Sequence, residues 1–404
     1  GGSGGYSPGK PAALPVFRLV LAYLLCFARG GVRFYFLRDG GMALALIHGG
    51  DIEGYRERFG ALPLDFSANL NPLGMPRGVK DAIVSAIEVS AGYPDPLCRR
   101  LTAELAAYES VPAGYIQCGN GAADLIFRFV RAVRPERAFL PIPSFAEYEQ
   151  ALACVGCAVD DYPLSEEKGF LPDKDMLDAL RGWAAANSGK RLMFCLCNPN
   201  NPTGQTVAPK LLEELLLTCR EMGVFVLLDE CFTDFLEPEE QHSMTGRLAE
   251  FPNLLVLKAF TKLYAMAGVR LGYGLCSDRL LLEQMTGTVQ PWSVSTLAQA
   301  AGIAALGEAD YRWEAARLIR EERCFLKQEF ARLHLPVIGS KANFIFFRSP
   351  VSHLREKLEP LGILLRSCDN YRGMPQGYCR AAVRTRADNI RLIAALEQVL
   401  KQEK

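Results

Sequence analysis

Short apolar runs alternate with amphipathic stretches through the middle of this chain. The runs Arg137–Leu140, Leu192–Cys197, Val224–Leu228 and Leu254–Leu257 are apolar at nearly every position, and turn residues bound each of them. Such runs predict strands buried on both faces. Between them lie segments of helical period, Pro209–Met222 among them. Strand and helix in alternation predict an α/β fold, with a mostly parallel central sheet flanked by helices. In sheets of this kind ligands collect at the carboxyl ends of the strands.

The flanks read differently. Ser67–Gly74 is turn-rich, and helical periods cover about 77–90 and 97–108, separated by the turn Gly92-Tyr-Pro-Asp-Pro96. Past the alternating region a helical pattern runs from Trp292 to His334. A strand at Ala342–Phe347, a helix, a strand near Ile363–Arg366 and a terminal helix at Asp388–Lys401 follow. The chain therefore divides into an N-terminal extension (1–41), an arm or small-domain segment (42–90), a large domain holding the site (91–291) and a smaller α+β C-terminal domain (292–404).

Composition changes this picture in three ways. With 404 residues and 50% hydrophobic content there is material for a large core and two lobes. Lys+Arg and Asp+Glu balance at 45 each, so nothing in the overall field invites nucleic acid, and an anionic substrate must be drawn by a local cluster of cations. The thirteen cysteines are odd in number and mostly lie inside apolar runs, which predicts free thiols in a reducing, cytoplasmic setting. Cys154 and Cys157 have CxxC spacing, but no second ligand pair accompanies them and no metal is expected. Residues 1–41 begin with a Gly/Ser linker and include the apolar run Leu19–Ala28, ten residues where a bilayer span needs about 20. They are read as a non-native or disordered lead-in to Met42, and no membrane span is expected.

Four separated segments carry chemistry. In Thr261-Lys262-Leu-Tyr-Ala-Met-Ala-Gly268-Val-Arg270-Leu-Gly272 a lysine follows a buried strand. A partly apolar pocket lowers the pKa of such an amine, which can then form a Schiff base with an aldehyde and move protons. Arg270 supplies a planar cation able to grip a phosphate at two points. Asp229 ends the strand Val224–Leu228, where a carboxylate is costly without a cationic partner. Asn201, in Asn198-Pro-Asn-Asn201-Pro-Thr-Gly204, sits in a rigid loop just past another strand. Cys118-Gly-Asn-Gly-Ala122 leads into the helical run Ala123–Val133, presenting unpaired N–H groups to an anion, and it lacks the lysine of a nucleotide-triphosphate loop. Alone, a lysine in a turn is ordinarily a surface group, and a helix-capping Asp at a strand–helix junction is the minority alternative for Asp229. Their succession along one sheet is what raises them.

Together these segments resemble the fold-type I pyridoxal-phosphate enzymes, the aspartate-aminotransferase superfamily, from His48 to the C-terminus. The resemblance implies pyridoxal 5'-phosphate as cofactor, with Lys262 as its Schiff-base lysine and Asp229 as partner of the pyridinium nitrogen. It implies Asn201 at the ring hydroxyl, Phe145 stacked on the ring, and Gly121, Ala122, Thr261 and Arg270 at the phosphate. Tyr93 would reach the phosphate of a neighbouring subunit, which implies a homodimer with shared active sites. Phe232 stands where aminotransferases usually carry a tyrosine.

Within the superfamily the nearer resemblance is to the threonine-phosphate decarboxylases, relatives of the histidinol-phosphate aminotransferases. It rests on His48-Gly-Gly50, Asp65–Gly74, Pro291-Trp-Ser-Val294, Leu365-Arg-Ser-Cys-Asp-Asn-Tyr371 and Tyr378-Cys-Arg380-Ala-Ala-Val-Arg384 in that order. It implies decarboxylation of a phosphorylated amino acid, L-threonine O-3-phosphate, to 1-amino-2-propanol O-2-phosphate for cobalamin synthesis. Arg380 would take the carboxylate, and His48, Asn71, Arg366 and Arg384 are candidates for the rest of the substrate. Transamination of histidinol phosphate with 2-oxoglutarate is the second expectation. A non-catalytic effector sensor is a third, but the first 41 residues are too few and too apolar for a DNA-binding module.

Overall fold

Residues 1, 2 and 49–403 are described in the computed structural model of this chain. The apolar run Leu19–Ala28, Met42 and His48 lie outside them.

The four apolar runs form strands that, with three others, make one seven-stranded sheet. In chain order these are β1 (Ile116–Gly119), β2 (Arg137–Ile142), β3 (Ala158–Pro163), β4 (Leu192–Cys197), β5 (Val224–Asp229), β6 (Leu254–Ala259) and β7 (Gly272–Leu275). Across the sheet they stand β1-β7-β6-β5-β4-β2-β3. Every pairing is parallel except the two made by β7. Strand parity divides the core. Leu192, Phe194 and Leu196 of β4 pack into one apolar cluster with helices Lys174–Ala186 and Pro209–Glu221. Met193, Cys195 and Cys197 pack into the other, with helices Ala122–Val133, Ala146–Ala153 and Arg279–Gly287. Helices therefore cover both faces, which is why the central strands carry no polar alternation.

A second, antiparallel sheet has the order β9-β10-β8, from β8 (Phe344–Arg348), β9 (Arg366–Ser367) and β10 (Tyr378–Ala382). Leu64–Asp65 pairs in parallel with Ile363–Leu364, joining the segment between helices Ile52–Phe59 and Arg77–Ile87 to this region.

Several boundaries differ from the sequence expectation. The pattern from Trp292 to His334 is two helices, Thr296–Leu306 and Ala309–Arg332. Ser295 caps the first through its Oγ, which accepts from the Ala298 N–H at 3.1 Å, while Gly307 ends it. Trp292 lies outside, at φ 58°. β3 has no apolar run because it is an edge strand carrying Asp160 and Asp161. β1 and β7 are four residues each, too short to show a period. Among the described residues no helix is long and apolar enough to cross a membrane.

Candidate active site

The pairing of the sheet brings the singled-out residues to one edge. Cys197 at the end of β4 pairs with Asp229 at the end of β5, and Ala259 at the end of β6 pairs with Gly272, which also pairs with Gly119 at the end of β1. Because β7 runs antiparallel to both neighbours, its start lies beside their ends. Five chain segments thus meet around a cavity of about 250 Å³. Its walls include Ala122, Phe145, Asn201, Asp229, Thr261, Lys262, Arg270, Arg366 and Arg380.

Each strand tip presents its group for a local reason. Lys262 lies in the one-turn helix Phe260–Leu263 directly after β6. That turn is held from outside by Asn71, whose N–H donates to the Lys262 carbonyl at 3.0 Å and whose Nδ2 donates to the Leu263 carbonyl at 2.7 Å. Burial pushes the Lys262 ammonium down to about 8; the Arg380 and Arg270 cations push the same way, against Cys231 and Glu147. Asp229 is buried, its Oδ1 accepting from the Cys231 N–H at 2.9 Å and its Oδ2 from the Tyr148 hydroxyl at 2.7 Å. Tyr148 is fully buried, and burial and the adjacent Asp229 raise its hydroxyl well above its usual range, so it stays a donor.

The glycine turn and Arg270 form a cradle. Gly121 has φ 82°, and a Cβ there would stand 2.7 Å from an Arg270 guanidinium nitrogen. A Cβ on Gly272 would stand 2.6 Å from the Ala122 backbone nitrogen. Only glycine permits both approaches, and they set a guanidinium beside the N-terminus of the twelve-residue helix Ala122–Val133. Asp124 holds the turn by accepting from the Asn120 N–H at 2.9 Å. Arg128, paired with Asp124, donates to the Cys118 carbonyl at 3.2 Å and to Ser293 Oγ at 2.8 Å, so the Pro-Trp-Ser-Val segment braces the cradle. This donor set suits a phosphate ester. An amine, a buried carboxylate and an aromatic wall, Phe145, stand within the same cavity, so the residues fit a phosphorylated pyridine aldehyde.

The opposite wall comes from the small sheet. Arg366 and Arg380 are Cα partners across β9 and β10, so both side chains project from the same face, and both are buried. Arg380 donates to Asn201 Oδ1 and, at 2.9 Å, to the Ser67 carbonyl, while its Nε is buried without a partner. Its guanidinium lies 5.4 Å from the Phe344 ring centroid. Among the described residues it forms no ion pair. Arg366 donates to Asn370 Oδ1 at 2.9 Å and lies over the Tyr371 ring. Tyr371 donates to Asn201 Oδ1 at 3.3 Å, so the Asn201 carbonyl is occupied and its amide N–H groups are left for the cavity.

Not every expected residue belongs here. Asn71 is not in the wall; its side chain is spent on the lysine-bearing turn. Arg384 is also outside, donating to Asp388 at 3.1 Å and to the Asp65 carbonyl at 3.1 Å, because β10 ends at Ala382 and the chain turns into the last helix. Tyr93 does not line its own chain's cavity; it is 81% exposed and stacks on Trp292 with centroids 4.4 Å apart. Phe232 is buried edge-on to Phe344 and brings no hydroxyl. Residues passed over in sequence now appear: Ser67, Glu147, Tyr148, Tyr371 and Cys231. Tyr148 is signalled by its position three residues after Phe145 on one helical turn.

The fold and the site define a fold-type I pyridoxal-phosphate-dependent enzyme. The family model for aminotransferase class I and II matches residues 63–396, and the chain belongs to that family. It is 37% identical over 359 residues to the threonine-phosphate decarboxylase of Salmonella typhimurium, covering 87% of this chain and 96% of that protein. It is 34% identical over 345 residues to a histidinol-phosphate aminotransferase of Ralstonia nicotianae, covering 83% and 88%. The crystal structure of L-threonine-O-3-phosphate decarboxylase from Porphyromonas gingivalis superposes with a TM-score of 0.73 at 25% identity, over 83% of this chain and 99% of that one.

Proposed function

We propose that this enzyme decarboxylates L-threonine O-3-phosphate to (R)-1-amino-2-propanol O-2-phosphate, the linker for cobalamin synthesis. The observation that carries this reading is the buried arginine pair. Two like charges facing each other across an antiparallel pair repel, and neutral oxygens and aromatic faces repay Arg380 only in part. An amino acid bearing a carboxylate and a phosphate supplies anionic charge to this wall, and Arg380 forms no ion pair within the described residues. The relative in Salmonella typhimurium that carries the decarboxylase name adds support.

Pyridoxal phosphate, when bound, supplies an aldehyde for the amino group and a ring that takes up the electron pair of the bond broken at Cα. Lys262 would hold the aldehyde carbon of the cofactor through its amine. Asp229, steadied by Tyr148, keeps the ring nitrogen protonated. Asn201 donates to the ring oxygen, a task left to it by the hydroxyl-free Phe232. Gly121, Ala122, Thr261 and Arg270 hold the cofactor phosphate, and Phe145 covers the ring. Arg380, fixed by Asn201 and Ser67, grips the substrate carboxylate and orients the Cα–carboxylate bond for cleavage. Arg366 takes the substrate phosphate.

The same reading makes the enzyme a homodimer. Tyr93 and Trp292 are an exposed aromatic pair suited to a second copy, whose cofactor phosphate Tyr93 would reach. A cytoplasmic setting agrees with the free thiols of all twelve described cysteines.

Incubation of the purified protein with O-phospho-L-threonine tests the reading. Carbon dioxide and an amino-alcohol phosphate are expected, with no consumption of 2-oxoglutarate. Turnover of histidinol phosphate that depends on 2-oxoglutarate, with no carbon dioxide from phosphothreonine, would replace it with transamination.

A further inference from the structure

The cavity is lined by two carboxyl groups, Asp229 and Glu147. Asp229 has both oxygens occupied, by the Cys231 N–H and the Tyr148 hydroxyl. Glu147, beside Tyr148 in the first turn of helix Ala146–Ala153, opens on the same cavity as Lys262 with its Oε2 atom buried. No step described so far employs it. Three charged groups face it from three elements: Asp229 from the tip of β5, Lys262 from the turn after β6 and Arg270 from the loop before β7. Burial raises its carboxyl to about 7; Asp229 adds to the rise, and its own backbone N–H, Lys262 and Arg270 oppose it. An acid of that strength in the same cavity as an amine near 8 is matched for transfer from the first to the second.

Decarboxylation needs a proton that transamination does not. The carboxyl group leaves as carbon dioxide, and the electron pair remaining on Cα must take up a proton. Resting on the decarboxylase reading, we propose that Glu147 is the proton source of this pocket: its carboxyl O–H passes a proton to the Lys262 amine, which hands it to the carbon that lost its carboxyl group. Per turnover one C–C bond breaks and one C–H bond forms with the proton of the Lys262 ammonium. The Lys262 amine regains its proton from Glu147, and the Glu147 carboxylate regains one from water. Nothing is oxidised or reduced.

The test compares holoenzyme of wild type, E147Q and E147D. Glu147 acts in its protonated form, so wild-type kcat falls as pH rises through about 7. In E147Q, kcat drops about 100-fold with KM within about threefold, and that limb of the pH profile disappears. E147D keeps the limb at a reduced rate. A second readout needs no cofactor. In cofactor-free protein the pH midpoint for acetylation of Lys262 by acetic anhydride, read by peptide mass spectrometry, lies near 8 and moves lower in E147Q, because the anion that holds the ammonium is gone. No carbon dioxide from the wild type overturns the decarboxylase reading and this proposal together. Carbon dioxide from the wild type with an unchanged E147Q profile, or an unmoved Lys262 midpoint, overturns this proposal alone.

Discussion

The cavity has two walls, built on different principles. The large-sheet wall takes its groups from the ends of strands, each fixed by a short segment: Lys262 after β6, Asp229 at the tip of β5, the glycine turn after β1. The small-sheet wall takes Arg366 and Arg380 from the interior of an antiparallel pair, where register alone aims both at the cavity. On the first wall the Asp229 carboxylate is answered within the protein, by Tyr148 and a backbone N–H. On the second, Arg380 has, among the described residues, neutral oxygens as hydrogen-bond partners and one buried, unmatched nitrogen.

This contrast can be broken or sharpened by substitution. The largest effect is expected for Lys262→Ala, with activity lower by about 10⁴-fold or more. Mass spectrometry after borohydride should find cofactor attached in the wild type and none in the variant. Attachment at another lysine would dissolve the first wall. Next comes Arg380→Ala, with kcat/KM down by about 30- to 1000-fold, roughly 2–4 kcal/mol for the lost charge-assisted contacts. Arg380→Lys should recover little of this, since one point charge cannot reproduce two parallel contacts. Full rescue by lysine in steady-state kinetics would show that orientation does not depend on the guanidinium.

A smaller effect concerns pH. Lys262 is pushed down, so its reactive neutral amine predominates above about 8 and its ammonium below. The rate at which cofactor-free protein takes up pyridoxal phosphate should therefore climb about tenfold per pH unit below that point and level off above it. Arg380→Ala should move the midpoint upward, because Arg380 is among the cations that lower it. An unmoved midpoint would mean that the two walls are electrostatically independent. Smallest is Arg384→Ala, with kcat/KM within about threefold and stability lower by about 1 kcal/mol, read from urea unfolding. A large kinetic loss there would place Arg384 in the cavity after all.

Much of the first wall is legible in the sequence, because its signals are local. An apolar run that ends in Asp229, or that is followed closely by Lys262, marks a strand tip wherever the strand stands in the sheet. The second wall was legible only as a set of arginines. Arg366, Arg380 and Arg384 look alike in sequence, and what separates them is that β10 ends at Ala382 before the chain turns into the last helix. Asn71 misled for a related reason: a polar residue in a turn-rich loop looks the same whether it faces ligand or, as here, secures a neighbouring backbone.

The amino-acid order by itself determined the layered sheet, the strand ends that carry chemistry and the identity of the groups there, since burial period and turn residues act over a few positions. Only the tertiary structure decided which arginines face one another, which groups hold Asp229, and that Glu147 and Lys262 line one cavity. Those are relations between residues far apart in the chain. They are set by register and by packing across two sheets, and a one-dimensional pattern does not contain them.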